Sequence, residues 1–290
     1  MSDIGLYAQL ACIWEATARK PGNVHRYHDF DDAGYLDFLV SAAAIAPVLE
    51  AAPGRRVGET VLDAVRATRR VAATNTNLGI ILLLAPLAAV PPGEELRAGL
   101  ARVLDGLDVA DARAVYQAIR LAAPGGLGRV PEQDVAEEPT QSLRQVMALA
   151  AGHDLVARQY ADGFCEVFDD GVPTLQHGLD QTGSLEAAII GCHLHLMATY
   201  PDTLIARKRG PAEAAEAAER ARRVLDEGWP HRRAAWDALA ELDAWLRAEG
   251  HGRNPGTTAD LVTACLFVAL RTATITLPCP FPWSAGAGHD

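Results

Sequence analysis

The longest uninterrupted apolar run, Ile80 to Val90, most constrains how this chain can fold. A helix needs roughly 20 apolar residues to cross a bilayer, and this run is shorter and contains Pro86. Pro91-Pro92-Gly93 follows it directly, and prolines and glycines end helices. The run therefore predicts a helix that is buried inside a soluble protein.

Thr74-Asn75-Thr76-Asn77-Leu78-Gly79 leads straight into this run. Amides and hydroxyls at the start of a helix either cap its orphan N–H groups or bind a ligand next to them. One interpretation makes Thr76 or Asn77 the N-cap of the buried helix. The other uses Asn75, Thr76, Asn77 and Gly79 to bind a substrate, and the choice between them depends on the polar segments elsewhere in the chain.

Leucine and alanine recur at helical spacing throughout the chain, and alternating β-branched runs are almost absent. We therefore predict an all-α fold, a single multi-helix globular domain over 1–277 followed by a loosely ordered tail over 278–290. Helices are predicted at about 5–18, 36–51, 57–73, 78–90, 94–105, 109–122, 141–150, 153–168, 174–181, 185–199, 211–227, 231–250 and 258–276. Asp108 is the predicted cap of the helix that follows it. The long segment 123–140, with Gly125-Gly126-Leu127-Gly128, is typical of a lid or a binding loop.

The charge balance limits the classes of partner. Twenty-six Lys and Arg against thirty-seven Asp and Glu give a net charge of -11. Nucleic acid and anionic membranes need a basic face, so neither is expected as a partner. The five cysteines form no C-x-x-C pair, which suits free thiols in a reducing compartment. The N-terminus has no signal-peptide pattern, so we expect a cytoplasmic protein; the sequence gives no oligomeric state.

A second polar segment lies where the first predicted helix ends, from Glu15 through Lys20-Pro21-Gly22-Asn23. A carboxylate in the last turn of a helix faces the negative end of the helix dipole, which is mildly unfavourable. The carboxylate of Glu15 at this position therefore suggests a functional role. The alternative is a simple helix stop with a solvated Lys–Glu pair.

A third polar segment runs from Asp202-Thr203 to Arg207-Lys208-Arg209-Gly210. Consecutive cations can clamp a polyphosphate, although an ordinary basic loop is an equal interpretation. A fourth, Pro255-Gly256-Thr257-Thr258-Ala259-Asp260, opens the last predicted helix. Thr257 and Thr258 there can cap the helix or help its N–H groups to hold a phosphate. Asp260 either serves the helix dipole or acts as a Mg²⁺ ligand or a base.

Other kinds of site find little support in the sequence. His193 and His195 are two residues apart on a predicted helix and point to different faces, so they do not form an i, i+4 metal pair. Without a Cys or His cluster, structural zinc is not expected. The P-loop, Rossmann and nucleophile-elbow patterns are also missing.

In this order, the four polar segments resemble the triphosphoribosyl-dephospho-CoA synthase family. The resemblance lies in Glu15 with Lys20-Pro21-Gly22, Asn75-Thr76 with Gly79, Asp202-Thr203 with Ala206, and Pro255-Gly256 with Ala259-Asp260-Leu261. It implies an all-helical enzyme that joins C1′ of the ribose of ATP to the 2′-hydroxyl of dephospho-CoA and releases adenine. ATP, Mg²⁺ and the acceptor are the implied small-molecule partners.

The resemblance also suggests roles for individual residues. Glu15 and Asp260 would supply carboxylate, as catalytic base or as Mg²⁺ ligands. Lys20, Arg207 and Lys208 would hold phosphates, and Asn75, Thr76 and Asn77 would position ribose or phosphate oxygens. Asn23, Gly79, Asp202, Thr203, Thr257 and Thr258 complete the predicted substrate site.

This chain departs from the family pattern at several positions. Family members that act on citrate lyase tend to have His-Lys where this chain has Asn77-Leu78, and Ser-Arg-Gly-Gly where it has Arg207-Lys208-Arg209-Gly210. The chain is similar to a divergent subgroup associated with methanopterin-type cofactors. A second interpretation is therefore phosphoribosyl transfer, from ATP or phosphoribosyl pyrophosphate, to a ribitol-type hydroxyl. A third is a non-catalytic helical binding protein.

Overall fold

The computed structural model describes residues 3–123, 133–279 and 281. In this part of the chain it contains fourteen α-helices, one π-helical segment and no β-strand. An isolated bridge joins His25 and His28. The all-α prediction is therefore confirmed.

The helices follow the predicted order closely. Their bounds are α1 (Ile4–Thr17), α2 (Tyr35–Glu50), α3 (Val57–Arg69), α4 (Leu78–Ala89), α5 (Leu96–Asp105), α6 (Val109–Ala122), α7 (Leu143–Ala150), α8 (Leu155–Asp162), α9 (Val172–Thr182), α10 (Leu185–Thr199), α11 (Thr203–Arg209), α12 (Pro211–Asp226), α13 (Arg233–Arg247) and α14 (Gly256–Arg271). The π-helical segment, Glu166–Gly171, runs directly into α9.

The chain divides into two compact units. Unit 1 holds the described residues of 1–13 and 32–166, and unit 2 holds those of 14–31 and 167–290. Helix α1 begins in unit 1, and its last residues, from Trp14, belong to unit 2. One domain over 1–277 with a tail over 278–290 remains a prediction.

Helix α4 forms the centre of unit 1 and is buried over nearly its whole length, as its apolar sequence predicts. It packs against α2, α3, α5 and α8. Pro86 has no N–H, so it cannot donate to the carbonyl of Leu82 one turn before it. The Tyr160 hydroxyl donates to that carbonyl instead, at 2.6 Å. The buried backbone oxygen is thereby satisfied within an otherwise apolar core.

The core of unit 2 is built on α10 and α14. Most residues of α14 are buried, and α10 packs against α9, α12 and α14. The short helix α11 contacts α12 and α14. This arrangement places the N-termini of α11 and α14 beside each other.

Two segments differ from the sequence prediction in secondary structure, and α3 and α14 end earlier than predicted, at Arg69 and Arg271. The helix predicted over 153–168 stops at Asp162, because Gly163 and Phe164 adopt left-handed conformations with φ of 70° and 62°. Helix α11 was not predicted, because its basic residues favoured a loop. Most of the segment 123–140, including Gly125-Gly126-Leu127-Gly128, and most of the tail lie outside the described residues.

Asp108 caps α6, as predicted. Its carboxylate accepts from the N–H groups of Ala110 at 2.8 Å and Asp111 at 3.1 Å. The buried Asp111 carboxylate in turn accepts from the N–H of Gly58, near the start of α3, at 2.9 Å. The two helices approach so closely there that a Cβ on Gly58 would lie 2.6 Å from the Asp111 backbone. The glycine is therefore required for this helix contact.

Among the described residues, no helix is both long enough and apolar enough to cross a membrane.

We expect Gly58→Ala to lower the free energy of unfolding by about 1–3 kcal/mol, because the added methyl must push two backbones apart. Urea unfolding would measure this change. Gly152→Ala is the matched control, since a Cβ there meets nothing within 4 Å. The control should stay within about 0.5 kcal/mol of the wild type. Equal stability of the two variants would contradict the close packing at Gly58.

Candidate active site

A buried ion pair forms where α1 ends. The Lys20 ammonium lies 2.8 Å from the Glu15 carboxylate, and both side chains are almost fully buried. The ammonium also donates to the carbonyl oxygens of Glu15 and, at 3.4 Å, of Ala18. All three of its protons therefore have acceptors. The sequence predicted these two residues for the site but left open a solvated pair, and the pair is buried.

Burial controls the protonation of Glu15. It raises the pKa of the Glu15 carboxyl, although Lys20 acts in the opposite direction through its charge and its hydrogen bond. A carboxylate with a raised pKa is better matched to taking up a proton near neutral pH than a solvated one. The pair therefore has the properties expected of a general base held in place by a cation.

The turn after Lys20 is tied to α13 and to the start of α14. The Asn23 side-chain amide donates to the Asn254 side chain at 2.7 Å and to the Pro255 carbonyl at 3.5 Å. The Asn23 carbonyl accepts from Arg247 at 2.7 Å. The side-chain oxygen of Asn23 is buried and has no hydrogen-bond partner among the described residues. Asn23 is thus fixed in place and keeps one acceptor unused.

One carboxylate joins the N-termini of α11 and α14. Asp202 accepts from the N–H groups of Leu204 and Ile205 at 2.8 and 3.0 Å, and so caps α11. It also accepts from the N–H and hydroxyl of Thr258 at 2.7 and 2.8 Å. Burial raises the pKa of Asp202, and these hydrogen bonds act in the opposite direction. Asp202 and Thr258, which the sequence analysis assigned to substrate binding, therefore form hydrogen bonds to each other in this structure.

Thr203, Thr257 and Asp260 are the other predicted site residues near the starts of α11 and α14. The hydroxyls of Thr203 and Thr257 are 3.2 Å apart. Asp260 is the fifth residue of α14, just after its first turn, and is partly exposed. Among the described residues, no group of three or more His, Cys, Asp or Glu side chains is arranged to hold a metal ion. Glu15 and Asp260 as Mg²⁺ ligands therefore remain a prediction.

The basic segment forms the last turn of α11, where cations favour the helix dipole. Lys208 donates to the His251 carbonyl at 3.5 Å. Arg209 forms ion pairs with Glu213 and Glu249. Arg207 is exposed. Phosphate binding by Arg207 and Lys208 remains a prediction.

The Asn-Thr segment belongs to unit 1. Asn77 occupies the N-cap position of α4, but its side chain makes no capping bond. The capping role falls instead to Asn75, whose side-chain oxygen accepts from the N–H of Leu78 at 3.1 Å. Thr76 and Asn77 are buried, and Gly79 lies in the first turn of the helix.

Both buried side chains of this segment have internal partners. The Thr76 hydroxyl lies 2.7 Å from that of Ser41, and the Asn77 side-chain oxygen accepts from Thr68 at 3.1 Å. The buried Asn77 amide nitrogen has no partner among the described residues. It is the one side-chain nitrogen or oxygen of the segment that is both buried and without a hydrogen-bond partner.

Three of the four predicted segments therefore lie in unit 2. They contribute Glu15, Lys20, Asn23, Asp202, Thr203, Arg207, Lys208, Thr257, Thr258 and Asp260. The remaining segment, with Asn75, Thr76, Asn77 and Gly79, lies in unit 1. The substrate roles of all these residues remain predictions.

A buried cluster of opposite charges escaped the sequence analysis. Glu186 has no exposed surface, and it accepts from Arg19 at 3.0 Å and from Arg26 at 3.2 Å. The signal was present, since Glu186 follows Leu185 in a helix that is otherwise mostly apolar. A lone carboxylate in such a helix indicates a paired charge. The cluster fixes the segment that carries Lys20 and Asn23 against α10.

His25, in the same segment, is a buried neutral imidazole. Its Nδ1 accepts from the N–H of Tyr27 at 3.3 Å. Burial, helped by the charges of Arg247 and Lys20, lowers its pKa from 6.5 to about 3. The ring nitrogen that accepts this bond therefore stays unprotonated at neutral pH.

Comparison with known proteins points to one family. A family model described as CitG, ATP:dephospho-CoA triphosphoribosyl transferase, matches residues 1–277. A Pseudomonas putida protein described as a probable 2-(5''-triphosphoribosyl)-3'-dephosphocoenzyme-A synthase is 33% identical over 135 residues, covering 47% of this chain and 48% of that protein. A protein of the same description from Pseudomonas syringae pv. tomato is 31% identical over 134 residues, covering 43% and 45%. The chain thus spans about half the length of the curated relatives it matches.

A solved structure gives the same indication. The crystal structure of a candidate triphosphoribosyl-dephospho-CoA synthase from Archaeoglobus fulgidus is 27% identical, with a TM-score of 0.61. The match covers 80% of this chain and 97% of that one. The similarity therefore extends well beyond the polar segments.

We expect Asp202→Ala to lower the free energy of unfolding by about 2–4 kcal/mol, because two helix starts lose their shared acceptor. Asp154→Ala is the matched control, since the Asp154 carboxylate caps α8 by accepting from the N–H groups of Val156 and Ala157. It should cost about 1 kcal/mol. Denaturant unfolding of both variants measures the difference, and equal losses would refute the double role of Asp202.

Stability should depend on pH through His25. The unfolded imidazole takes up a proton near pH 6.5, whereas the folded one does so only near its pKa of about 3. The unfolded state therefore binds more protons in this range, and acidification from pH 6.5 towards 3 lowers stability. His25→Asn keeps an acceptor but cannot take up a proton, so its stability should fall less.

Urea unfolding across this pH range measures the effect. His153→Asn, at an exposed histidine, is the control and should retain the dependence of the wild type. Parallel stability curves for His25→Asn and the wild type would show that His25 is not responsible.

Proposed function

Because the chain belongs to the CitG family of ATP:dephospho-CoA triphosphoribosyl transferases, we propose that it catalyses this transfer. In the proposed reaction, the 2′-hydroxyl oxygen of dephospho-CoA forms a bond to C1′ of the ribose of ATP. The bond from C1′ to adenine breaks, its electron pair leaves with the base, and the triphosphate remains on the transferred sugar. The proposal rests on the family match and on one observation. The Glu15–Lys20 pair is buried, and it lies in the same unit as two of the other polar segments that resemble the family.

The chemistry explains why such a unit would need a buried carboxylate. Displacement of adenine passes through a state with positive charge at C1′ and the ring oxygen, as in glycoside transfer. A carboxylate stabilises that charge, and one must also accept the proton of the incoming hydroxyl. We assign the proton to Glu15, because burial raises its pKa. We assign the stabilisation of the positive charge to Asp260, which is partly exposed near the start of α14 in the same unit.

The triphosphate requires positive partners in a chain whose net charge is -11. We propose that Lys20, Arg207 and Lys208 supply them and that Asn23 and Thr257 bind neutral oxygens of the substrates. Mg²⁺ would enter with ATP, since Mg²⁺ commonly binds through substrate phosphates and one or two carboxylates. Asn75, Thr76, Asn77 and Gly79 keep their predicted roles at the ribose or phosphates.

A second acceptor is worth testing because of one sequence feature. Asn77-Leu78 stands where family members tend to have His-Lys, so one cation is absent from the expected phosphate contacts. A ribitol-type hydroxyl, with ATP or phosphoribosyl pyrophosphate as donor, is the alternative. Adenine release with dephospho-CoA supports the first acceptor, whereas turnover only with a ribityl acceptor supports the second. Absence of nucleotide binding would favour a non-catalytic helical protein.

We expect Glu15→Gln to lower the rate of adenine release from MgATP at least about a hundredfold, because the base is lost. Asp260→Asn should have a comparable effect if this carboxylate stabilises the positive charge. Chromatographic measurement of adenine, with and without dephospho-CoA, follows the reaction.

Glu219→Gln, at an exposed carboxylate on α12, is the control and should keep the wild-type rate. A folded Glu15→Gln variant with near-normal turnover would remove Glu15 from the mechanism. A wild-type protein that releases no adenine with any of these acceptors would refute the transferase proposal itself.

A further inference from the structure

Two arginines at the end of α3 have no acidic partner. Arg69 and Arg70 are exposed, and neither forms an ion pair with any of the described residues. Arg66, one turn earlier on the same helix, pairs with Asp63 at 3.2 Å. Acidic residues outnumber basic ones by thirty-seven to twenty-six in this chain, so carboxylates for exposed cations are plentiful. Two adjacent arginines without one are therefore available to bind an anion from outside the protein.

The start of α4 lies beside these arginines and has no charge of its own. From Val71 to Gly93 the chain contains no charged residue. The guanidinium of Arg69 donates to the Ala73 carbonyl, so it is bound to the segment that leads into α4. The Thr68 hydroxyl donates to the Asn77 side-chain oxygen at 3.1 Å, which ties the same turn of α3 to the N-cap position of α4. Positive side-chain charge beside the start of α4 is therefore supplied by α3.

Several hydrogen-bond donors in this part of unit 1 are unused. A guanidinium has five N–H donors, and Arg69 uses one of them on Ala73. Asn77 is 6% exposed, and its amide nitrogen has no partner among the described residues. A helix N-terminus also carries a partial positive charge, which favours an anion. Donors and positive charge therefore converge at the α3–α4 junction, which we define by Arg69, Arg70 and Asn77.

The proposed reaction involves two phosphate chains. ATP carries a triphosphate, and dephospho-CoA carries a diphosphate between its adenosine and pantetheine parts. Lys20, Arg207 and Lys208 of unit 2 are the cations proposed above for the triphosphate. A second chain of phosphates requires further donors, and the planar guanidinium of arginine binds two phosphate oxygens at once. The α3–α4 junction offers two such groups.

We propose that the α3–α4 junction is a binding site for condensed phosphate, the diphosphate or triphosphate chain of a substrate. Arg69 and Arg70 bind the phosphate oxygens. The Asn77 amide, which is buried and unbonded in this structure, donates to one of them in the bound state. The identity of the substrates rests on the proposed function, whereas phosphate binding can be measured without turnover.

Calorimetric titration with inorganic tripolyphosphate tests the site directly. Low ionic strength is needed, because salt screens exposed charges. We expect Arg69→Gln and Arg70→Gln each to weaken binding about tenfold, since each removes charge-assisted hydrogen bonds to phosphate. Equal affinity of both variants and the wild type would overturn the proposal, as would a wild type that binds no tripolyphosphate.

Arg102→Gln is the matched control for the loss of one charge. Arg102 is an exposed arginine of the same unit, and it pairs with Glu94. Its replacement should leave the affinity for tripolyphosphate within about twofold of the wild type, because surface pairs contribute little. A loss as large as that of Arg70→Gln would show that only the net charge matters, and the site would be refuted.

Thermal unfolding separates phosphate binding from a structural role. Arg69 also binds the Ala73 carbonyl, so its replacement can disturb the segment before α4. The Arg70 side chain makes no such contact among the described residues, and Arg70→Gln should keep the melting temperature within about 2 °C. Arg69→Lys keeps the charge but loses the planar fork, so it should recover only part of the affinity. Weaker binding that appears only in variants with a lowered melting temperature would contradict the proposal.

Steady-state kinetics identify which phosphate chain the junction binds. In Arg70→Gln, the KM of one substrate should rise about tenfold while kcat stays nearly constant, as expected for a contact made equally in the ground and transition states. A raised KM for MgATP assigns the triphosphate, and a raised KM for dephospho-CoA assigns the diphosphate. An active variant with both KM values unchanged would refute the site. If the wild type releases no adenine, the transferase proposal fails, and the tripolyphosphate titration still decides whether this junction binds phosphate.

Discussion

The buried ion pair between Glu15 and Lys20 is the interaction on which unit 2 depends most. Bringing two charges out of water is costly, and the gain is comparable only because the ammonium also binds two carbonyl oxygens at the end of α1. Losing either partner would leave an uncompensated charge, which costs about 3–5 kcal/mol in buried pairs. The pair fixes the start of the turn that follows Lys20. The next residues of that turn bind α13 on one side and the start of α14 on the other. Gly22 donates to Asp243 and Asn23 binds Asn254, so the turn cannot move without breaking contacts to α13 and the start of α14.

The helix starts that carry the predicted polar segments, those of α4, α11 and α14, have N–H groups that bind side chains of the protein itself. Asp202 occupies N–H groups of both α11 and α14, and Asn75 serves α4 in the same manner. A helix N-terminus can hold a phosphate only with N–H groups that are not already bonded. The buried polar atoms that remain unused are few among the described residues, and they include the Asn23 oxygen, the Asn77 amide and the His193 ring. The capacity to bind or to rearrange is therefore concentrated in a few side chains and not spread over the helix ends.

Helical periodicity was sufficient to predict most of the fold, because Leu and Ala at regular spacing leave little choice of structure. It failed at Gly163 and Phe164, where two left-handed residues break an otherwise helical pattern, and at α11, whose seven residues are too short and too basic to be distinguished from a loop. For the site, short motifs predicted Glu15, Lys20 and Asp202 as special residues. They could not show that Asp202 binds Thr258, since the two are far apart in sequence and meet only through packing. Motifs also gave no role to Arg69 and Arg70, whose significance lies in the absence of acidic partners among the described residues, which no motif records.

The π-helical segment Glu166–Gly171 has a consequence for how this chain could change its length. A π-helix holds more residues per turn than an α-helix, so it accommodates a local surplus of chain. Removing one residue there would return the segment towards a regular α-helix, and α9 after it would keep its place. Asp170, near the end of the segment, would then stay beside His195, its partner at 2.6 Å. The segment is thus a position at which the chain can lose a residue while the packing of α9 on α10 stays intact.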